Sequence, residues 1–176
     1  MRVIFFLIAI PLLISFAIAG VSAAPWVPTK PTQKRRLIDQ LQLQPGMKIY
    51  DLGSGTGTLL FAAHKKEPGV QAVGFEISLF PYIIAKLHEL FARTKGAVTT
   101  KFRNLFKQDL SDADLIFVFL LNKCYPRLQA KFAKELKPEC IVVVEAWPLH
   151  GIQAYKVIRE KGLLPVYLYK GKNLAA

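Results

Sequence analysis

A glycine-rich turn between a predicted strand and a predicted helix constrains this chain more than any other feature. The segment at 50–57 reads YDLGSGTG, with glycines at Gly53, Gly55 and Gly57. Glycines at alternate positions let the backbone turn tightly and let a ligand approach closely, because no Cβ stands in the way. Glu76 ends the next predicted strand, where a carboxylate can accept both hydroxyls of a ribose. The combination predicts a nucleoside-binding site at the ends of the first two strands.

The spacing of the turn and the position of Asp51 indicate which nucleoside binds. Dinucleotide sites use G-x-G-x-x-G, with the helix N-terminus facing a pyrophosphate. This turn is G-x-G-x-G with an acid two residues before it, and it lacks the G-K-[ST] ending of a P-loop. A carboxylate there repels a pyrophosphate but attracts an ammonium group. S-adenosylmethionine, which carries an α-amino group and no phosphate, is therefore the predicted cofactor.

Strand and helix patterns alternate along the rest of the chain. Strands are predicted at 48–52, 70–76, 98–102, 114–121, 140–145 and 163–169. Helices are predicted at 59–65, after Pro81, at 125–136 and at 152–161. This alternation is typical of an α/β fold, a mostly parallel sheet with helices on both faces. We expect one domain at 46–176, preceded at 25–45 by a proline-rich linker and a first helix.

Two of these helices carry further expectations. Thr32 is expected to cap the first helix, whose apolar side is formed by Leu37, Ile38 and Leu41. The helix whose first turn contains Pro81 has an apolar stripe at helical spacing. The stripe consists of Phe80, Ile83, Ile84, Leu87 and Phe91.

Residues 1–24 are predicted to form an N-terminal transmembrane helix. The segment at 3–19 is almost entirely apolar, and about 20 such residues cross a hydrocarbon core of roughly 30 Å. A cleaved signal peptide is the alternative, since small residues stand at 21–24, although Pro25 would follow the cut. More basic residues follow the segment than precede it, so the positive-inside rule predicts a single-pass membrane protein whose domain faces the cytoplasm.

The chain is strongly basic, which limits the classes of partner. It has 24 Lys and Arg against 12 Asp and Glu, a net charge of +12. Such a charge suits nucleic acid or an anionic membrane, or serves general solubility. The fourth predicted strand lacks the [DN]-P-P-[YF] sequence with which enzymes that methylate bases hold a planar amine, so no nucleic-acid partner is expected. The two cysteines lack metal-ligand spacing, and no metal site is predicted.

The glycine turn resembles motif I of the class I S-adenosylmethionine-dependent methyltransferases, and the resemblance covers about 25–149. The chain is similar in more detail to the membrane-anchored lysine methyltransferases typified by the enzyme that modifies the c subunit of mitochondrial ATP synthase, with its prokaryotic relatives. The matching features are the N-terminal apolar segment, PWVPT, YDLGSGTG, GFEIS and VFLL. The resemblance implies a Rossmann-like class I methyltransferase fold and methylation of a lysine in a membrane-associated protein.

The resemblance also implies roles for single residues. Those expected around the methionine part of the cofactor are Asp51, Gly53, Ser54, Gly55 and Gly57. Those expected at its ribose and adenine are Glu76, Ile77, Asn104 and Leu105, with Thr29 folding over the cofactor. The candidates for the acceptor channel, at the ends of the fourth and fifth strands, are Phe119, Leu121, Asn122 and Trp147.

A lysine acceptor must lose its proton before it can attack a methyl group. Moving from a pKa of about 10.4 to pH 7 costs roughly 4.6 kcal/mol, and burial in an apolar channel beside a positive sulfonium lowers that pKa without a dedicated base. Two alternatives stay open. The chain could methylate a lipid or lipophilic small molecule, or it could be a non-catalytic module that binds the cofactor.

Overall fold

The computed structural model describes residues 29–174. The predicted transmembrane anchor or signal peptide at 1–24 and the first part of the linker therefore lie outside the described residues. Within 29–174 no helix has the length and apolar character needed to cross a membrane.

The helices and strands follow each other in the predicted alternation over most of the chain. The helices are α1 (Pro31–Asp39), α2 (Thr58–Lys66), α3 (Leu79–Phe91) and α4 (Tyr125–Glu135). The strands are β1 (Lys48–Leu52), β2 (Gln71–Glu76), β3 (Val98–Phe102), β4 (Leu115–Val118), β5 (Ile141–Glu145), β6 (Lys156–Ile158) and β7 (Val166–Lys170).

The strands form one mixed sheet in the order β3-β2-β1-β4-β5-β7-β6. β1 to β5 are parallel, whereas β7 runs antiparallel to both of its neighbours. The chain reverses its direction across the sheet at β1, which pairs with β2 on one side and β4 on the other. The expected α/β fold is confirmed, and the predicted cofactor residues follow the strands at this reversal, outside whose carboxyl ends ligands bind in such sheets.

Side chains of the central strands alternate between two hydrophobic clusters, one on each face of the sheet. On one face Ile49 and Phe117 pack with Leu37 and Leu60, from α1 and α2. On the other face Leu52, Ile116 and Val144 pack with residues of α4, including Leu128 and Phe132. The prediction of helices on both faces is confirmed.

The prediction of a helix at 152–161 is wrong. This segment holds the short edge strand β6, whose residues Lys156, Val157 and Ile158 pair antiparallel with β7. Pairing with β7 outweighs the local helical pattern, because strand formation depends on the packing context of the segment more than on its intrinsic propensity. The cap at Thr32 is also wrong, since α1 begins at Pro31 without a side-chain cap.

Most of the apolar stripe of α3 does not pack on the sheet. Its buried residues are the small Pro81 and Ala85, and the Thr100 N–H of β3 donates a hydrogen bond to Glu89 on this helix. The large side chains face outward, with Leu87 50%, Leu90 72% and Phe91 77% exposed. Small residues let α3 approach the sheet closely, and the stripe is left on the surface.

Candidate functional site

The glycine turn after β1 has the backbone geometry that the sequence predicted. Gly53, Gly55 and Gly57 have φ values of +81°, +54° and +75°, which side chains with a Cβ rarely adopt. The N–H groups of Gly53 and Ser54 donate to the Phe75 carbonyl at 2.9 and 3.1 Å. The turn is thus tied to β2, and it leads directly into α2.

Glu76, at the end of β2, organises the backbone around the turn. Its Oε2 accepts a hydrogen bond from the Gly55 N–H at 2.7 Å. Its Oε1 accepts from the N–H groups of Ile77 and Ser78 at 2.8 and 2.7 Å. The carboxylate therefore links the glycine turn to the start of α3, and it lies where a ribose is expected.

Asp51 lies near the end of β1 as a buried carboxyl group with carboxylates nearby. It is 5% exposed, and burial together with the negative charges of Glu76 and Glu145 raises its pKa to about 8. Ser54 Oγ beside the turn is buried without a hydrogen-bond partner. A ligand ammonium group would give the Asp51 carboxylate a positively charged partner. These residues therefore fit the amino-acid part of S-adenosylmethionine.

The residues predicted at the adenine follow β2 and β3. Ile77 is half-buried next to Glu76. Asn104 Oδ1 accepts a hydrogen bond from the Phe106 N–H at 2.9 Å and so begins the 3-10 turn Leu105–Lys107. Leu105 is buried beneath that turn. Contact of these residues with adenine stays a prediction.

The acceptor candidates separate into two groups. Phe119, which follows β4, lines a cavity of about 370 Å³ at the carboxyl edge of the sheet. The lining consists of Thr29, Lys30, Gln33, Phe119, Glu145, Gly162, Leu163 and Leu164. Leu121, Asn122 and Trp147 do not line this cavity, and Trp147 is 42% exposed. The structure thus brings Thr29 and Phe119 together, while an acceptor role for the other three stays a prediction.

Glu145 is a buried acid in this cavity that sequence reasoning missed. It is 2% exposed at the end of β5, and its Oε2 has no hydrogen-bond partner. Burial raises its pKa to about 7, and the nearby Gln33 amide and Arg36 guanidinium only partly oppose this rise. Ala146, the next residue, has a φ of +77°, a strained conformation of a kind that clusters at functional sites. The available signal was an acid ending the otherwise apolar strand CIVVVE.

Comparison with known proteins gives matches along most of the chain. The sequence profile of the ANTKMT methyltransferase domain matches residues 51–156. The protein-lysine N-methyltransferase of Saccharolobus islandicus is 33% identical over 153 residues, which are 82% of this chain and 92% of that protein. The adenine nucleotide translocase lysine N-methyltransferase of Mus musculus is 31% identical over 137 residues, which are 77% of this chain and 58% of the mouse protein.

The fold also matches solved structures. An RNA methyltransferase from Salinibacter ruber, solved with S-adenosyl-L-homocysteine, superposes with a TM-score of 0.73 at 23% identity. The superposition covers 82% of this chain and 93% of that one. This likeness confirms the predicted class I methyltransferase fold. The sequence matches also include the lysine N-methyltransferase of the ATP synthase c subunit from Mus musculus, which confirms the predicted resemblance.

Proposed function

The chain belongs to the ANTKMT methyltransferase domain family, and we propose from this membership and from the site that it methylates lysine side chains of a protein with S-adenosylmethionine. The family match and the two relatives above 30% identity support the reaction. The observation that supports a lysine acceptor is the cavity lined by Glu145, whose negative charge acts on Asp51 of the predicted cofactor site.

On the cofactor side, the chain's residues bind and orient. Asp51 would pair with the cofactor's ammonium group, the glycine turn would let the cofactor approach the backbone closely, and Glu76 would accept hydrogen bonds from the ribose hydroxyls. The bound cofactor supplies a methyl group on a positively charged sulfur. Alignment of donor and acceptor can then provide much of the rate enhancement.

On the acceptor side, the cavity suits a lysine. Phe119, Leu163 and Leu164 offer apolar walls for the methylene chain. Glu145 Oε2 offers a hydrogen-bond acceptor at the buried end, where a lysine ammonium would satisfy it. An uncharged lipophilic acceptor would leave this buried polar atom without a partner, which is unfavourable. The cavity therefore favours lysine over the lipid alternative.

Glu145 can also remove the proton that a lysine acceptor must lose before it attacks the methyl group. It receives the ammonium on entry and accepts its proton as a general base, because its pKa of about 7 lies near neutral pH, where a base acts most efficiently. Apolar walls and the positive sulfur favour the neutral amine. This proposal adds a dedicated base, Glu145, to the apolar channel that the sequence predicts.

The test compares Glu145→Gln with the wild type on a lysine-containing peptide and on the same peptide with arginine in place of lysine. We expect methylation of the lysine peptide alone, and a fall in kcat of about 100-fold in Glu145→Gln, a typical contribution of a general base. The wild-type rate should rise with pH through about 7, and the variant should lose this rise. Glu139→Gln, at an exposed position, is the matched control. An unchanged rate and pH profile in Glu145→Gln would exclude this role.

We further propose that residues 1–24 hold the chain in a membrane, with the domain facing the cytoplasm and a membrane-embedded protein as substrate. The apolar sequence at 3–19 and the basic residues that follow it support this proposal. The chain should remain in membranes after alkaline carbonate washing, and protease should digest the domain in inside-out vesicles only. Release by carbonate, or digestion in right-side-out vesicles, would contradict it.

A further inference from the structure

α3 presents an apolar face that nothing in the described chain covers. We define this face as Ile83, Leu87, Leu90 and Phe91. Its side chains are 45%, 50%, 72% and 77% exposed. They recur at three- and four-residue spacing, so they form a continuous stripe along one side of the helix. Phe102, at the end of neighbouring β3, is a further exposed aromatic residue at 42%. Contiguous apolar surface of this kind marks an interaction site.

The segment that carries the apolar face is strongly basic. The segment at 79–107 has one acidic residue, Glu89, and six basic ones. The basic residues are Lys86, Arg93, Lys95, Lys101, Arg103 and Lys107. Glu89 pairs with Lys86, which leaves an excess of positive charge in the segment that carries the apolar face.

This arrangement discriminates between occupants. A second copy of the chain would bring two basic segments together and would be repelled. An anionic bilayer offers acyl chains to the apolar stripe and negative headgroups to the basic residues, which is the chemistry that interfacial amphipathic helices recognise. We therefore propose that the apolar face of α3 docks the domain onto a membrane that contains anionic lipid.

The docked geometry follows from the length and position of α3. Its 13 residues make a helix of about 20 Å, which lies in the interface with its apolar face about 5–10 Å into the headgroup and acyl boundary. The helix begins at Leu79, three residues after Glu76, so docking brings the cofactor side of the sheet close to the headgroups. Docking through α3 requires neither lysine methylation nor an anchor at 1–24.

The experiment places a fluorophore on each face of the domain in the full chain. The two native cysteines, Cys124 and Cys140, are buried, so a thiol label reports an introduced cysteine. Leu87→Cys places the label on the apolar face, and Ala130→Cys, on α4 across the sheet, is the matched control. Vesicles of phosphatidylcholine with phosphatidylglycerol carry a quencher on their acyl chains.

We expect the vesicles to quench the label at residue 87 several-fold more than the label at residue 130. Replacing phosphatidylglycerol by phosphatidylcholine, or raising the salt concentration, should weaken the difference. Equal quenching at both positions, failure of the chain to associate with the vesicles, or burial of the label at 87 by self-association in lipid-free buffer would each overturn the proposal. Methylation of a soluble lysine peptide is unaffected by any of these outcomes, so the two proposals fail separately.

Discussion

Replacing Asp51 by asparagine should stabilise the cofactor-free protein and weaken its binding of the cofactor. The Asp51 carboxyl group is buried, and its pKa of about 8 in the folded protein compares with 3.8 for an ordinary aspartate. Between these two values the unfolded chain is ionised while the folded chain holds the proton. Folding then takes up a proton, so the free energy of unfolding falls as the pH rises through this window.

The size of the effect follows from the same two pKa values. Ionisation of Asp51 in the unfolded chain lowers the free energy of unfolding of the wild type by about 2 kcal/mol at pH 5 and by about 4 kcal/mol at pH 7. Asparagine does not titrate, so any constant effect of the amide cancels between the two pH values. The stabilisation by Asp51→Asn should therefore be greater at pH 7 than at pH 5 by about 2–3 kcal/mol.

Urea unfolding of both proteins at pH 5 and pH 7 measures this difference, and repeating it with S-adenosylhomocysteine measures ligand binding. At 100 times its Kd the ligand should stabilise the wild type by about 2.7 kcal/mol and the variant by much less. Asp114→Asn is a control of opposite sign. Burial raises the Asp114 pKa, but the hydrogen bonds from Lys137 and the Lys48 N–H outweigh burial and lower it, so this variant should lose stability at both pH values. A difference between Asp51→Asn and wild type that does not depend on pH would refute the reasoning.

Three further substitutions test the site and the fold. Glu76→Ala removes the acceptor of three backbone N–H groups, so cofactor affinity measured by calorimetry should fall by about 100-fold or more; unchanged affinity would show that Glu76 does not organise the site. Gly74→Ala places a Cβ 2.4 Å from Ser54 Oγ and 2.7 Å from Leu60 Cδ1, and urea unfolding should show a loss of about 1–3 kcal/mol. A urea midpoint equal to that of the wild type would mean that the Ser54 and Leu60 side chains move aside without loss of stability. Tyr169→Phe removes the hydroxyl that accepts a hydrogen bond from the Leu149 N–H at 2.9 Å. The N–H is then buried without a partner, so the free energy of unfolding should fall by about 1–3 kcal/mol in the same assay. An unchanged midpoint would argue against that hydrogen bond.

The cofactor half of the site could be predicted from sequence because its signals are local. The glycine turn, Asp51 and Glu76 lie at the ends of β1 and β2, and the geometry of parallel strands brings those ends to one edge of the sheet. The apolar strands β4 and β5 were predicted for a similar reason, since strands covered on both faces consist of consecutive apolar residues.

The features that were missed depend on residues distant in sequence. Glu145 lines a cavity together with Gln33 from α1 and Leu164 from the segment before β7. The sequence of β5 alone therefore does not reveal that Glu145 is buried. The stripe on α3 has the periodicity of a buried helix face. Only the packing of Pro81 and Ala85 on the sheet shows that its large side chains face outward. Periodicity identifies an apolar face but not the surface that covers it.

Methyl transfer to membranes tests the central claim most directly. The full chain is incubated with membranes from its source organism and S-adenosylmethionine labelled in the methyl group, and the products are hydrolysed to amino acids. Lysine methylation of a protein predicts label in N-methyllysine, strongly reduced with Glu76→Ala at low cofactor concentration and reduced about 100-fold with Glu145→Gln. Label recovered only in the lipid extract, with none in N-methyllysine, would contradict the proposed function.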